Sequence, residues 1–266
     1  MHVLGKRLDV FAVLCVLAGI LGGALVSRAQ RGERVPQPAK AEELFAMANE
    51  TRAQEGRGRL EWDAALAAAA MKHCMRMAAE GPISHRYSGE LDLTERAGLA
   101  GAHFGLIEEN IAMGSYPGKI HQSWLESPGH RANLLNPQID RIGVAVVAAQ
   151  GVLFAVADFA RGVPVMTQSE VESTVGGLLR ASGLSVRRDT NEARAACRLD
   201  RGFPSAPGTA SPQFVMRWED SDLSHLPASL MEHLASGRYR QAAVGSCPAR
   251  NVKGAFTSYR VAVLLY

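Results

Sequence analysis

Three side chains in this sequence, His85, Glu109 and His130, are of the types that bind metals or move protons near neutral pH. Each lies in a short segment that we predict to be away from the surface. Two imidazoles and one carboxylate suit a divalent ion such as zinc and would leave it an open coordination position. The same groups could form a hydrogen-bonded network without metal. The network is favoured because the sequence lacks a helical His-x-x-x-His pair.

Ser127 stands three residues before His130, which raises the alternative of a Ser/His/Glu hydrolase. A serine nucleophile needs a base within hydrogen-bond reach and a further group that orients this base. Separation by Pro128-Gly129 does not establish that geometry, so we predict that Ser127 caps the turn that ends a helix. The sequence also lacks Gly-x-Ser-x-Gly, a phosphate loop and a catalytic-cysteine context around Cys74. No residue is therefore assigned a catalytic role.

The segments that carry these residues resemble, in order and spacing, the bacterial branch of the CAP (SCP-like) superfamily, which includes cysteine-rich secretory, antigen 5 and pathogenesis-related 1 proteins. They are Ile-Ser-His (83–85), Ile-Glu-Glu-Asn-Ile-Ala (107–112), the block from Trp124 to Asn133, Ile-Gly-Val (142–144) and Ala-Asp-Phe-Ala (157–160). Asn49, Arg52 and Leu-Glu-Trp-Asp (60–63) match the opening of the family. The resemblance covers residues 44–160. It implies a three-layer α-β-α sandwich with a cleft and a polar cavity of histidines and glutamates.

Three cavity residues are carried over by their motifs. His85 matches the histidine after the second helix, Glu109 the glutamate of Gly-Glu-Asn, and His130 the histidine of Ser-Pro-Gly-His-Arg. Ser127 occupies the position of a second glutamate in the eukaryotic branch, so one potential metal ligand is missing. Glu108 replaces the glycine of Gly-Glu-Asn and adds a negative charge beside the cavity. The resemblance thus implies a cavity of His85, Glu109, His130 and Ser127 that requires no cofactor. Zinc on the first three is the alternative.

The resemblance also implies an exported protein, either secreted, periplasmic or on the cell surface. It favours a non-catalytic binding module whose cleft takes a small amphipathic, lipid-like ligand or a partner protein. The alternative is a metal-assisted peptidase or esterase that uses His85, Glu109 and His130. Glu109 separates the two, because an enzyme should lose activity when this carboxylate is neutralised. A binding module should instead lose stability or ligand retention.

Residues 1–29 are typical of an export signal, with Lys6 and Arg7 before an uncharged apolar run and a cleavage position after Ala29. An uncleaved anchor is the alternative, since about seventeen apolar residues are at the short edge of a membrane span. Membrane contact is predicted only through this segment, and only if it stays uncleaved. Without it the formal net charge falls from +3 to about +1. No basic stripe interleaved with aromatic residues is present, so nucleic acid is excluded as a predicted partner.

The hydrophobic pattern predicts helices first and a hairpin afterwards, which indicates an α+β fold. A helix from Ala39 ends near Gly56, a second one follows the N-cap Asp63, and a third covers residues 119–127. Alternation in residues 142–159 predicts a hairpin with one buried face. The expected divisions are a signal peptide (1–29), a leader (30–38), a CAP-like domain (39–163) and a smaller α/β domain of unrecognised type (164–266).

In the last third of the chain, Ser169 and Glu172 are predicted to form a capping box at the start of a helix. Strands are predicted at residues 214–218, 239–244 and 259–265, with a helix starting near Pro227. Cys197 and Cys247 lie in this region and are predicted to form a disulfide. Cys74 is expected to be a free, buried thiol in an Ala/Met-rich helix.

The remaining histidines and two polar residues are interpreted as structural. His73 lies on the buried stripe of the second helix and is expected to be a satisfied core histidine. His103 and His121 are predicted to be on the surface. Arg131 and Asn133 are expected to hydrogen-bond backbone carbonyls in the loop that follows them.

Overall fold

The computed structural model describes residues 33–202, 211–250 and 256–266, and the predicted signal peptide lies outside these residues. Among the described residues, no helix is long and apolar enough to span a bilayer. The elements of the first part are β1 (Val35–Pro36), α1 (Pro38–Gln54), β2 (Glu61–Trp62), α2 (Ala64–Glu80), α3 (Leu93–Leu99), β3 (Phe104–Gly114), α4 (Pro117–Glu126), α5 (Pro128–Leu135), β4 (Arg141–Ala149) and β5 (Val152–Gly162). Those of the second part are α6 (Gln168–Ala181), β6 (Ser185–Val186), α7 (Asn191–Arg198), β7 (Phe214–Asp220), α8 (Ala228–Ala235), β8 (Gln241–Cys247) and β9 (Tyr259–Leu265).

The first part is built around one sheet whose strands follow the order β1-β4-β5-β3, with β2 paired in parallel to β4. β3, β4 and β5 are antiparallel and supply most of the sheet. One face packs against α2 and α3, and the other packs against α1, α4 and α5. The predicted three-layer α-β-α sandwich is therefore confirmed.

The predicted hairpin is present as β4 and β5, and its turn residues Gln150 and Gly151 both have positive φ, of 52° and 79°. The prediction of one buried face was wrong, since both faces of β4 are buried beneath helices. Gly143 lets α2 lie close to β4, because it has no side chain at the contact. A Cβ added there would stand 2.1 Å from the backbone nitrogen of Ala67 in α2.

The predicted N-cap of α2 is confirmed, because the Asp63 carboxylate accepts hydrogen bonds from the amides of Ala65 (2.8 Å) and Leu66 (2.9 Å). The helix predicted at residues 119–127 is also present, but Pro128-Gly129 does more than end it. Proline fits the first turn of a helix because its missing N–H would be unpaired there in any case. Pro128 accordingly begins the separate helix α5.

The second part has a four-stranded sheet in the order β6-β8-β9-β7. α6 and α8 cover one face and α7 covers the other, so this region combines strands and helices as predicted. The expected disulfide joins Cys197 at the end of α7 to Cys247 at the end of β8, with Cα atoms 5.9 Å apart. Cys74 is free and buried in α2, and burial raises the pKa of its thiol to about 12.

The predicted capping box of α6 was two residues out of place. The side chain of Thr167, rather than Ser169, accepts from the amide of Glu170 (3.3 Å), and the Glu170 carboxylate bonds back to the Thr167 amide (2.7 Å). Glu172, predicted as the returning residue, is buried instead. Its carboxylate receives a double hydrogen bond from Arg194 and another from the Ser246 amide. Glu172 therefore joins α6 to α7 and β8.

The two sheets meet at the start of β3. The amide of Thr257 donates to the carbonyl of Phe104 (2.8 Å), and the rings of Phe104 and Phe256 meet edge to face with centroids 5.6 Å apart. At Gly105 the side chains of Ser221 and Arg161 leave no room for a Cβ. An added Cβ would lie 2.3 Å from Ser221 Oγ, which belongs to the second part and accepts a hydrogen bond from Arg161 (2.9 Å).

We expect Gly105→Ala to lower the free energy of unfolding by about 1–3 kcal/mol, the usual cost of forcing extra atoms into a packed site. Urea unfolding of the variant measures this loss. The double variant Gly105→Ala/Ser221→Gly removes the obstructing side chain and should recover most of it. Equal losses in the single and double variants would show that the contact with Ser221 is not the cause.

Candidate functional site

The candidate site lies around Glu109 on β3, an edge strand of the first sheet. Glu109 faces Asp158 of β5 across the antiparallel pairing, so both side chains lie on the face covered by α2 and α3. His85 reaches it from the segment between these two helices, and His130 approaches from α5. The site thus depends on strand register and on two helix connections that are distant in sequence.

Both oxygens of the Glu109 carboxylate are engaged. Oε1 accepts from Nδ1 of His85 (2.8 Å), and Oε2 forms a short hydrogen-bonded ion pair with Nη2 of Arg96 in α3. Nε2 of His73 lies 3.9 Å from Oε2. The Glu109 side chain is 3% exposed, whereas the His85 side chain is 57% exposed. A buried carboxylate is therefore linked to solvent through one histidine.

His73 is fully buried and both of its ring nitrogens meet acceptors, which confirms the prediction of a satisfied core histidine. Nδ1 is 2.8 Å from Oε1 of Glu90, and Nε2 is 2.9 Å from the carbonyl oxygen of Ser84. A carboxylate and a carbonyl oxygen only accept hydrogen bonds, so both partners of the ring are acceptors. Burial alone would raise the pKa of Glu90, but the hydrogen bonds from His73 and the Tyr87 amide outweigh burial and lower it.

Asp158 is completely buried, and within the described residues neither of its carboxyl oxygens accepts a hydrogen bond. Burial, followed by the negative charge of Glu109, raises the pKa of Asp158 well above its ordinary value, although Arg96 acts in the opposite direction. This shift favours the protonated carboxyl group, which can donate a hydrogen bond to Glu109.

His130 stands apart from this network. Its ring centroid is 6.2 Å from that of His85, but within the described residues no hydrogen bond joins its ring to Glu109. Its carbonyl oxygen accepts from Nδ2 of Asn110 (2.9 Å). Burial, and then the neighbouring His85, lower the pKa of His130, so the ring is neutral at neutral pH.

Ser127 lies at the junction of α4 and α5, where its amide bonds the carbonyl of Ser123 (3.2 Å) and its carbonyl accepts from the Arg131 amide (2.8 Å). In the part of the chain that the structure describes, its hydroxyl makes no cap and no hydrogen bond to His130. The structure therefore brings together His85 and Glu109, places His130 beside His85, and leaves Ser127 as a backbone junction.

Comparison with known proteins decides the family of the first part. Residues 45–159 match the family described as CAP, the cysteine-rich secretory protein family. They form a CAP domain.

Two curated relatives come from Bacillus subtilis (strain 168). The uncharacterized membrane protein YlbC is 31% identical over 111 residues, covering 41% of this chain and 32% of YlbC. The uncharacterized protein YkwD is 28% identical over 113 residues, covering 41% of this chain and 43% of YkwD. In both, the matched region spans less than half of the relative's length.

Two solved structures are similar to the CAP domain. An outer surface protein from Borrelia burgdorferi is 23% identical, with a TM-score of 0.46, over 49% of this chain and 98% of that one. An extracellular protein containing a SCP domain, from Bacillus anthracis, is 31% identical, with a TM-score of 0.44, over 47% and 41% of the two chains.

Several residues that complete the CAP-domain site were not predicted as site residues. They are Arg96, Asp158 and Glu90. A signal for Asp158 exists in the sequence, because it is a single acid inside the apolar alternation of β5. Arg96 had a weaker signal, since Asp92 and Glu95 have the capping-box spacing that starts α3. Neither pattern reveals that Arg96 and Asp158 both lie beside Glu109.

Four other predictions for polar side chains can be compared with the CAP domain. His121 was predicted to be on the surface, but it is buried between α1 and α4, where Nε2 contacts Oγ1 of Thr51 at 2.8 Å. Arg131 bonds the carboxylate of Glu55 (2.6 Å) rather than a carbonyl. Asn133 does bond a carbonyl, that of Glu109 (3.2 Å), and His103 is exposed, as predicted.

Asp158 makes the stability of the CAP domain depend on pH. Its folded-state pKa is raised, so the native state keeps a proton that the unfolded chain loses above about pH 4. Stability from this group therefore falls as pH rises from that point towards the folded pKa, by at most about 1.4 kcal/mol per pH unit. We expect Asp158→Asn to remove this fall.

Urea unfolding of both proteins from acidic to neutral pH tests the expectation. The free energy of unfolding of the variant, relative to that of the wild type, should increase as pH rises. His121 and His130 are present in both proteins, so their titration cancels in the difference. Parallel stability curves would mean that Asp158 is already ionised in the native state.

Proposed function

We propose that the CAP domain is a non-catalytic binding module that acts outside the cytoplasm. The observation that carries this proposal is that both oxygens of Glu109 are hydrogen-bonded in the interior, one to His85 and the other to Arg96. A general base must have a free lone pair directed at the proton it removes. A carboxylate held on both sides in the interior acts better as a structural centre that fixes its neighbours.

The surface next to Glu109 has both polar and apolar side chains, which suit an amphipathic ligand or a partner protein. Met113 lies on the same face of β3 as Glu109, four residues along the strand, a distance of about 13 Å. Met113 is 47% exposed, and Tyr116, which precedes α4, is 56% exposed. The exposed ring of His85 supplies a polar contact at one end and these two side chains supply apolar contacts at the other.

Three observations support a location outside the cytoplasm. Residues 1–29 have the composition of an export signal. The family that residues 45–159 match is described as one of secretory proteins. A disulfide is also compatible with an oxidising compartment. We further propose that the mature chain consists of the residues after 29.

A metal-assisted peptidase or esterase is the competing function, with zinc on His85, Glu109 and His130. Within the described residues, no three His, Cys, Asp or Glu side chains are grouped so that they could hold a metal ion. Two imidazoles beside one carboxylate do offer suitable donor atoms. The competing function would require His130 to approach Glu109 and His85 to turn away from its present hydrogen bond.

Zinc binding and hydrolysis by residues 30–266 test the two functions together. Zinc affinity and content are measured by calorimetry and elemental analysis for the wild type, His85→Ala and His130→Ala, followed by peptide and ester hydrolysis assays. The binding-module proposal expects no stoichiometric zinc and no hydrolysis that depends on these histidines. Stoichiometric zinc that is lost in both variants, together with turnover, would establish the hydrolase instead. Retention of fluorescent fatty-acid probes, reduced by Met113→Ser, would identify the apolar contact.

A further inference from the structure

A groove of about 650 Å³ lies on the face of the first sheet opposite to Glu109. Glu108 lines it, because consecutive residues of β3 point to opposite faces. The other walls come from α5, the segment after it, and the turn that follows α1; they include Arg57, Arg131, Leu135 and Asn136. This groove is therefore separate from the network around His85.

Glu108 leaves one hydrogen-bonding position unfilled. Its Oε1 accepts from Nδ2 of Asn136 (2.9 Å), whereas Oε2 is shielded from solvent and has no partner among the described residues. A buried acceptor without a donor costs about 1–3 kcal/mol. The CAP resemblance places a glycine at this position, so the carboxylate is a feature of this chain. A donor that enters the groove would recover this cost.

The rim of the groove carries the opposite charge. Arg57 is exposed, and within the described residues its guanidinium forms no ion pair. Arg131 uses Nη2 for Glu55, but its side chain remains 43% exposed and its other N–H groups are not committed to an acceptor in the described part of the chain. Two guanidinium groups at the rim suit an anion with several acceptor oxygens.

We propose that this groove binds a compact zwitterion, with its primary ammonium on Glu108 and its anionic group on Arg57 and Arg131. The ammonium has three N–H donors, which match the unfilled oxygen. Oε2 is shielded from solvent, so the ammonium reaches it only when the carboxylate turns about χ3, a torsion with a broad distribution, and this turn gives up the hydrogen bond from Asn136 to Oε1. The arrangement depends on neither zinc nor the Glu109 network, so it is independent of the function proposed above.

O-phosphoethanolamine is the probe for this site, and isothermal titration calorimetry on residues 30–266 is the measurement. O-phosphocholine is the matched control ligand, because its charges are similar but its quaternary ammonium has no N–H donor. We expect O-phosphoethanolamine to bind about tenfold more tightly, the equivalent of one charged hydrogen bond. Glu108→Gln and Arg57→Gln should each weaken it by a similar factor, while Glu126→Gln, at an exposed position outside the groove, should not.

Equal affinity for the two ligands, or an affinity unchanged in Glu108→Gln, would overturn the proposal. The absence of saturable binding by the wild type would also overturn it. Vesicles of phosphatidylethanolamine and of phosphatidylcholine distinguish the source of the zwitterion. Selective binding to the former would identify a lipid headgroup, whereas binding of the soluble probe alone would identify a free metabolite.

Discussion

Glu109→Gln is expected to lower the free energy of unfolding by about 3–5 kcal/mol, the usual cost of removing one partner from a buried ion pair. The substitution keeps the shape of the side chain but removes its charge. Arg96 then remains buried without the carboxylate that balances its charge. Urea unfolding followed by circular dichroism measures the change.

A double-mutant cycle with Arg96→Gln isolates the interaction between the two residues. Because the double variant removes both charges, its loss should be smaller than the sum of the two single losses. Glu126→Gln is the control for a surface glutamate and should change stability by less than about 0.5 kcal/mol. Additive losses in the cycle would contradict the arrangement of charges described here.

Removal of the disulfide is the second change with a large expected effect. The Cys197–Cys247 bond closes a segment of 50 residues. Cys197→Ala/Cys247→Ala is therefore expected to destabilise the second part of the chain by about 3–4 kcal/mol on the loop-entropy model. Hydrogen exchange measured by mass spectrometry should show faster exchange in β8 and β9, with the amides of β4 and β5 much less affected.

Cys74→Ala serves as the control for loss of a cysteine, because Cys74 lies in the core of the CAP domain. It should speed exchange around α2 and leave β8 unchanged. Uniform acceleration across both sheets in the disulfide variant would indicate that the two parts unfold as one cooperative unit. Alkylation without reductant should modify neither Cys197 nor Cys247, and modification of both would contradict the disulfide.

The sequence predicted those features that depend on local pattern. The hairpin followed from alternation around Gln150-Gly151, and the start of α2 followed from Asp63, because both signals lie within a few residues. The strand β3 was missed, since its central Glu108 and Glu109 interrupt any apolar alternation. Each glutamate is accommodated by partners from other elements, which a local window does not contain.

The candidate site was predicted to the extent that motifs carry it. His85 and Glu109 were placed together correctly, but Arg96 and Asp158 were not expected to join them. Asp158 meets Glu109 only through the register of β3 and β5, a non-local property of the sheet. His121 was misplaced because its helix α4 packs a polar side chain against Thr51, and a hydrophobic pattern does not reveal such a pair.

The hydrogen bond from Thr257 to Phe104 also bears on self-association. β3 is an edge strand, and unpaired edges can recruit strands from other molecules. The second part of the chain pairs with the beginning of this edge at Phe104, so that part of the backbone is not available to a strand of another molecule. A CAP domain expressed without it would present that backbone to neighbouring copies, so we expect its solubility to fall with concentration more steeply than that of the longer chain.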